Sequence, residues 1–151
     1  EMKEKNIKIY TGTYNNMIRV VGEVGRDVDG ARRLFAEMKE KNIKMNAGTY
    51  THMIRVVGQT DGDVDGARRL FAEMKEKNIK INTGTYNNTI GVVGEGGRDV
   101  DGARRLFAEM KEKKIQMNYG TYNAMIRVVG EIGGDVEGAR KLLAEMNQKL
   151  F

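Results

Sequence analysis

The sequence predicts an all-α fold, a right-handed α-solenoid in which helix-turn-helix repeats stack side by side. The first observation is a strict period: the tripeptide Gly-Thr-Tyr recurs every 36 residues, at 12–14, 48–50, 84–86 and 120–122. The second is that each period contains two apolar stripes at helical spacing. The chain also holds 19 glycines and no proline, a composition that favours short turns between helices.

The 36-residue period divides the chain into four repeats. They cover residues 11–46, 47–82, 83–118 and 119–151, and the last of them is incomplete. Residues 1–10 match residues 37–46 in sequence, so we interpret them as the end of a preceding repeat. We therefore expect residues 1–151 to form a single repeat array that is a fragment of a longer one.

The first helix of each repeat is predicted by an apolar stripe. In the first repeat the stripe has the i, i+3, i+4, i+7 spacing of one helix face, and it consists of Tyr14, Met17, Ile18 and Val21. Thr13 stands just before it and is the predicted N-cap. We expect Tyr14, Met17, Ile18 and their equivalents in the other repeats to be buried.

The second helix is predicted to begin after Asp27, a suitable N-cap, and to end at Asn42, which tolerates a left-handed backbone. Its apolar stripe includes Leu34 and Phe35, both expected to be buried. Only a few residues separate the two helices, so they form an antiparallel hairpin that needs a neighbour to bury both of its faces. We expect the first helices to line the concave face of the stack.

The composition excludes several functional classes. The chain lacks cysteine, serine and tryptophan, and His52 is its only histidine. A Ser-His-Asp triad, a thiol nucleophile and a histidine- or cysteine-rich metal site therefore cannot be assembled. We predict a protein that is not an enzyme and that holds no metal and no cofactor. No run approaches the roughly 20 apolar residues of a membrane helix, so no membrane insertion is expected.

Two motifs within the repeat carry a resemblance to a known family. The first is Thr-Tyr-Asn at 13–15, 85–87 and 121–123, and the second is Ala-Arg-Arg-Leu-Phe-Ala-Glu-Met-Lys-Glu-Lys at 31–41, 67–77 and 103–113. The chain resembles the pentatricopeptide repeat family over its whole length, whereas it lacks the tryptophan and proline landmarks of tetratricopeptide repeats. Each repeat is one residue longer than is usual in the family, and we place the extra residue in the turn near Arg26 and Asp27.

The resemblance implies a protein that binds single-stranded RNA in a mitochondrion or plastid, one base per repeat. In the family the fifth and the last residue of each repeat read the base. The corresponding residues here are Asn15 with Asn46, Thr51 with Asn82, Asn87 with Asn118, and Asn123, whose partner would follow Phe151. In the family Asn with Asn favours a pyrimidine and Thr with Asn an adenine, so the implied preference is 5′-(C/U)-A-(C/U)-3′. An amide carries donors and an acceptor that can meet the Watson–Crick edge of an unstacked base.

The reader asparagines have a structural alternative. Asn15, Asn87 and Asn123 are also suited to capping the first helix, and Asn46 to its turn. Short amide side chains accept hydrogen bonds from nearby backbone N–H groups, and this is the reason for their frequency at helix ends. The sequence leaves both roles open.

Three arginines form a predicted phosphate-binding stripe. Arg19, Arg55 and Arg127 follow the readers by four residues and share their helix face. The net charge of +5 permits a polyanionic partner, and stacked repeats would align the arginines along a nucleic-acid backbone. Gly91 interrupts the stripe in the third repeat. A solvated helix face is the alternative.

Two features argue against RNA. The second residue of each repeat is aliphatic in related repeats but offers no stacking surface here: it is Gly12, Gly48, Gly84 or Gly120. A position at which lysine is common in the family is occupied by Glu23, Gln59, Glu95 and Glu131. Carboxylates repel phosphates. These features favour a second hypothesis, a structural repeat protein held by protein subunits within a larger organellar assembly.

Overall fold

The computed structural model describes residues 2–151, with side chains from Tyr10 onward, and every regular element in this range is helical. Eight α-helices follow one another: α1 (Met2–Arg19), α2 (Val28–Glu40), α3 (Ala47–Arg55), α4 (Val64–Glu76), α5 (Thr83–Gly91), α6 (Val100–Glu112), α7 (Tyr119–Ile126) and α8 (Val136–Leu150). The first helix of each repeat continues into a π-helical last turn: Val20–Val24, Val56–Thr60, Val92–Gly96 and Arg127–Ile132. The predicted class, an all-α solenoid of helix-turn-helix repeats, is confirmed.

The helices group into two compact units, Glu1–Ile81 and Asn82–Phe151. In the first unit α1 packs on α2 and α3, and α3 packs on α4. In the second unit α5 packs on α6 and α7, and α7 packs on α8. Each unit therefore consists of two hairpins whose first helices lie side by side, as the burial of two apolar faces per hairpin requires.

Asparagine, the last residue of each complete repeat, caps the helix that follows. Asn46 Oδ1 accepts a hydrogen bond from the Thr49 backbone N–H at 3.2 Å. The same bond recurs at Asn82 and Asn118. The prediction that Thr13 and its equivalents are the caps is wrong, because Thr49 occupies the third helical position and its hydroxyl completes a capping box with Asn46.

Helix α1 begins earlier than the other first helices. Tyr10 occupies the position of the asparagine cap, and its long aromatic side chain is not one that caps helices. Helix α1 accordingly runs through Tyr10 without a break, from Met2 to Arg19. Residues 2–10 are therefore helical, although the residues 38–46 that they match include the turn between α2 and α3.

The second helices begin and end where the sequence predicts. Asp27 Oδ1 accepts from the Gly30 N–H at 2.8 Å, and the same bond occurs in the other three repeats. At the other end Asn42 has a φ of 54°, and the Ile43 N–H donates to the Met38 carbonyl at 2.9 Å. This is a Schellman motif, so both the cap Asp27 and the stop Asn42 are confirmed.

The last turn of each first helix is one residue wider than an α-helical turn. The Gly25 N–H donates to the Val20 carbonyl at 2.8 Å, five residues back, and the Asp27 N–H donates to the Val21 carbonyl at 2.9 Å, six residues back. Arg26 between them has a φ of 55°. The last helical turn, Val20–Val24, is therefore π-helical. The placement of the extra residue of the repeat near Arg26 and Asp27 stays a prediction.

The core of each unit consists largely of the predicted apolar positions. Side chains with no exposed surface include Ile18, Tyr50, Tyr86 and Tyr122. Met17 departs from the prediction because it is 45% exposed, whereas its equivalent Met53 is buried against the preceding hairpin. No hairpin precedes Met17 among the described residues. Its neighbour Tyr14 is half-buried for the same reason.

The second helices keep one face toward solvent, and their apolar stripe is divided accordingly. Phe35 is 8% exposed, as predicted. Leu34 and its equivalents Leu70 and Leu106 are only half-buried, so the prediction that they are buried is wrong. A second helix packs mainly on its own first helix and on the next hairpin, which leaves the side of the stripe that carries Leu34 incompletely covered.

Glycine is required where neighbouring hairpins approach most closely. A Cβ built on Gly22 would overlap the side chain of Val56, and one built on Gly94 would overlap that of Val128. Both glycines lie in the π-helical turns, which pack against each other within a unit. A larger residue would therefore force the first helices apart.

A polar cluster recurs between the first and second helices. Tyr86 Oη donates to Glu109 Oε2 at 2.7 Å in the second unit. In the first unit Glu73 faces Tyr50, and Lys39 Nζ of the preceding hairpin lies 2.9 Å from Glu73 Oε1. Burial raises the pKa of Tyr50 above its ordinary value, and the nearby Glu73 carboxylate raises it further. Glu73 thus connects two hairpins through its carboxylate.

Acid is expected to weaken this cluster. Burial opposes ionisation of Glu73, but the nearby Tyr50 hydroxyl and the hydrogen bond from Lys39 outweigh it, so its pKa in the folded protein lies below the ordinary value of 4.5. A depressed folded-state pKa contributes stability that is complete above the ordinary value and is lost as the pH falls below it. We therefore expect the Tm to decrease as the pH is lowered below about 4.5, and to decrease less steeply in Glu73→Gln than in the parent. Circular dichroism between about pH 7 and about pH 3 measures the Tm.

The exposed neighbour Glu76 provides the matched control, because Glu76→Gln removes one carboxylate from the same helix. We expect its Tm to follow the parent's pH dependence. If Glu73→Gln loses Tm with acid as steeply as Glu76→Gln does, the Glu73 carboxylate is not a source of the acid sensitivity.

Candidate nucleic-acid interface

The predicted base readers of a repeat lie side by side, although they are far apart in sequence. Asn15 Nδ2 donates to Asn46 Oδ1 at 3.0 Å in the first unit, and Asn87 Nδ2 donates to Asn118 Oδ1 at 3.0 Å in the second. Asn15 is half-buried near the end of α1, and Asn46 is exposed at the start of α3. Each pair therefore occupies an accessible edge between two successive first helices.

A threonine of the following helix holds the first member of each pair. Thr49 Oγ1 donates to Asn15 Oδ1 at 2.6 Å, and Thr121 Oγ1 donates to Asn87 Oδ1 at the same distance. Both threonines are buried. The capping alternative is thus confirmed for Asn46, whereas Asn15 caps no helix and instead ties α1 to the cap of α3.

The remaining predicted readers are placed differently. Thr51 is half-buried on α3, and its Oγ1 donates to the Ala47 carbonyl at 2.7 Å. Asn82 is the cap of α5, and Asn123 is exposed on α7. Since Thr51 belongs to the first unit and Asn82 to the second, their pairing stays a prediction.

The three arginines are exposed, and two of them face a carboxylate of the preceding repeat. Arg55 Nε lies 3.4 Å from Glu23 Oε1, and Arg127 Nε lies 2.6 Å from Glu95 Oε1. Arg19 is exposed on α1. Two of the three glutamates expected to repel phosphates, Glu23 and Glu95, are therefore ion-pair partners of arginines expected to bind them, and the charge of the stripe is partly compensated.

A constant spacing in the sequence marks these ion pairs. Each glutamate precedes its arginine by 32 residues. In the repeat where Gly91 replaces the arginine, the residue 32 positions earlier is Gln59, so carboxylate and guanidinium are absent together. This joint loss is what we expect if the two charges are present in order to pair with each other. The 32-residue spacing links residues of successive repeats, so the patterns within single helices do not show it.

Two of the four glycines at the second position of a repeat, Gly48 and Gly120, lie against the asparagine pairs. A Cβ built on Gly48 would lie 3.2 Å from both Asn15 Nδ2 and Asn46 Oδ1, and one built on Gly120 would lie 3.0 Å from Asn87 Nδ2. These contacts are tight, so a larger side chain would press on the pair. Glycine here removes a stacking surface and permits the direct hydrogen bond between the asparagines.

The chemistry available at this edge is that of amides, hydroxyls and guanidinium groups. Over residues 2–151, no helix combines the length and the apolar character that crossing a membrane requires. In the same part of the chain, no group of three or more His, Asp or Glu side chains is arranged to hold a metal ion.

Three family models match overlapping parts of the chain. The model described as PPR repeat matches residues 12–43, the pentatricopeptide repeat domain matches residues 33–96, and the PPR repeat family matches residues 82–131. Together they cover residues 12–131. No curated protein sequence matches the chain.

Solved structures match the fold. The pentatricopeptide repeat protein PPR10 in complex with an 18-nt psaJ RNA element is 26% identical with a TM-score of 0.77, covering 91% of this chain and 20% of that one. PPR10 from maize is 24% identical with a TM-score of 0.67, covering 93% and 24%. The PPR domain of Arabidopsis thaliana protein-only RNase P 1 in complex with tRNA is 19% identical with a TM-score of 0.71, covering 91% and 71%. The chain spans a fifth of the length of the PPR10 chain in the RNA complex.

Proposed function

Because the chain belongs to the pentatricopeptide repeat family, we propose that it binds single-stranded RNA, one base per repeat, without catalysis of its own. The proposed readers are Asn15 with Asn46, Thr51 with Asn82, Asn87 with Asn118, and Asn123. The proposed preference is 5′-(C/U)-A-(C/U)-3′, and the proposed location is a mitochondrion or plastid.

The observation that carries this proposal is the direct contact between the fifth and the last residue of a repeat. Asn15 and Asn46 are joined at 3.0 Å, and so are Asn87 and Asn118. Two adjacent amides on an accessible edge can hydrogen-bond one unstacked base, and sequence-specific RNA recognition depends on such bases. The 26% identity with PPR10, whose complex contains an RNA element, supports the same class of ligand.

A titration at two salt concentrations tests the proposal. Fluorescence anisotropy with a labelled single-stranded RNA containing 5′-CAU-3′ should give saturable binding at about 50 mM salt and weaker binding at about 200 mM. A duplex of the same sequence should bind poorly, because its base edges are paired. If the single strand does not bind even at the lower salt concentration, the proposed function is wrong.

Thr51→Asn is expected to move the preference at the central base from adenine toward a pyrimidine. The substitution replaces a single hydroxyl with an amide, which carries separate donor and acceptor groups. The binding free energies of RNAs that match and mismatch at that base should differ by about 1–3 kcal/mol. Competition between oligonucleotides that differ only at the central base measures the change. Asn88→Thr, on the neighbouring face of α5, is the control and should leave the preference as it is in the parent.

A scaffold role is the second candidate, and the ion pairs favour it. Glu23 and Glu95 form ion pairs with arginines that a phosphate-binding surface would leave free, and partly compensate their charge. This role predicts that a protein partner copurifies in stoichiometric amount, while single-stranded RNA fails to bind at low salt. The titration and the purification together separate the two candidates.

A further inference from the structure

The orientation of Asn46 is determined by its role as a cap. Its Oδ1 accepts from the Thr49 backbone N–H at 3.2 Å and from Asn15 Nδ2 at 3.0 Å. A flipped amide would place an N–H group against two donors, so the cap holds Oδ1 toward the helix. The Nδ2 group of Asn46 consequently faces away from the cap, and both of its protons remain for other partners.

The orientation of Asn15 follows from that of Asn46 and from Thr49. Asn15 must donate to the Oδ1 of Asn46, so its own Oδ1 points the other way, toward Thr49. Thr49 Oγ1 accepts from the Asn46 backbone N–H at 3.2 Å and gives its single proton to Asn15 Oδ1 at 2.6 Å. Both amide oxygens of the asparagine pair are therefore turned toward hydrogen-bond donors within the protein.

The second unit repeats the arrangement. Thr121 Oγ1 donates to Asn87 Oδ1 at 2.6 Å and accepts from the Asn118 N–H at 3.2 Å. Asn87 Nδ2 donates to Asn118 Oδ1 at 3.0 Å. The recurrence of all three bonds indicates that this is a property of the repeat and not of one site.

We propose that Thr49 and Thr121 are positioning residues that determine base preference, because they turn the reader asparagines so that only N–H donors face the RNA. The inference rests on the proposed function and deepens it. On their Watson–Crick edges cytosine offers two acceptors, N3 and O2, and uracil offers two, O2 and O4, whereas adenine offers only N1. A reader that offers only donors therefore favours both pyrimidines and does not distinguish strongly between them.

Thr85 provides a matched control within the chain. It occupies the same position of its repeat, is equally buried, and donates to the Oδ1 of its cap Asn82 at 2.9 Å. The fifth residue of the preceding repeat is Thr51, which has no amide to orient. Removing the hydroxyl of Thr85 thus perturbs a cap of the same kind while leaving the readers of the first and third bases, Asn15 with Asn46 and Asn87 with Asn118, in place.

Thr49→Val and Thr121→Val, each isosteric with the parent residue, test the inference. Anisotropy competition with RNAs that differ only at the first or only at the third base should show roughly a tenfold loss of the pyrimidine-over-adenine ratio. The loss should appear at the first base for Thr49→Val and at the third for Thr121→Val. Thr49→Ser, which keeps the hydroxyl, should retain the parent's ratio, and Thr85→Val should leave both bases unchanged.

The outcomes separate this inference from the proposed function. If the parent binds no RNA, both fail. If the parent prefers pyrimidines and the valine variants keep that preference, only the inference fails. A direct measurement covers the case in which the variants do not fold: RNA should shift the side-chain amide signals of Asn15 and Asn87 in NMR spectra of the parent. Unshifted signals in a parent that binds RNA overturn the inference.

Discussion

Phe107→Ala is expected to destabilise the protein by about 3–5 kcal/mol, the cost of removing a buried aromatic ring whose cavity the surroundings fill only partly. Phe107 is 7% exposed, and its ring meets the ring of Tyr122 edge-on with centroids 5.7 Å apart. Lys111 Nζ lies 4.5 Å from the same ring centroid and adds a cation–π contact. Urea denaturation followed by circular dichroism measures the free energy of unfolding.

The next residue along the helix is the control for this measurement. Ala108 is exposed, so Ala108→Gln should change the free energy of unfolding by no more than about 0.5 kcal/mol. A loss of less than about 1 kcal/mol in Phe107→Ala would mean that the site collapses around the missing ring and that the ring is not a main contributor to the core.

Replacement of Arg19, Arg55 and Arg127 by glutamine is expected to weaken binding to every RNA sequence alike. Contacts with phosphates contribute affinity without base preference, and the affinity depends on the release of counterions. On single strands each lost contact lowers the slope of log K against log salt by roughly 0.7, so the triple variant should lose up to about 2. Titrations at several salt concentrations measure the slope, and an unchanged slope would show that the arginines do not contact the backbone.

The ion pairs add a second expectation in the opposite direction. Glu23→Gln with Glu95→Gln removes the carboxylates beside Arg55 and Arg127, so RNA should bind more tightly and the salt dependence should become steeper. Glu40→Gln with Glu112→Gln makes the same change in net charge at the exposed ends of α2 and α6. Equal strengthening by both pairs would indicate an effect of total charge and not of the released arginines.

The sequence by itself determined the elements of this protein. The 36-residue period and the two apolar stripes predicted two helices per repeat, and Asp27 and Asn42 marked the start and end of the second helix. These signals are local, because a cap, a left-handed stop and a helical stripe each depend on residues within about two turns of one another. The fold class and the family followed from their repetition.

Local patterns failed where a neighbouring hairpin decided the outcome. Thr13 is of a residue type that often caps helices. Its equivalent Thr49 nevertheless lies inside α3, because Asn46, the last residue of the preceding repeat, caps that helix. Met17 has the spacing of a core residue, yet its burial depends on a hairpin before it.

Only the tertiary structure decided what the candidate interface is made of. The sequence predicted Asn15 and Asn46 as readers through a family resemblance, but not the hydrogen bond between them or the one from the Thr49 hydroxyl to Asn15. It also could not show that Glu23 pairs with Arg55. These partners are more than 30 residues apart, and helical periodicity states which way a side chain faces but not which residue of the next hairpin it meets. Stacking of the hairpins brings them together, and that depends on close packing across the whole interface.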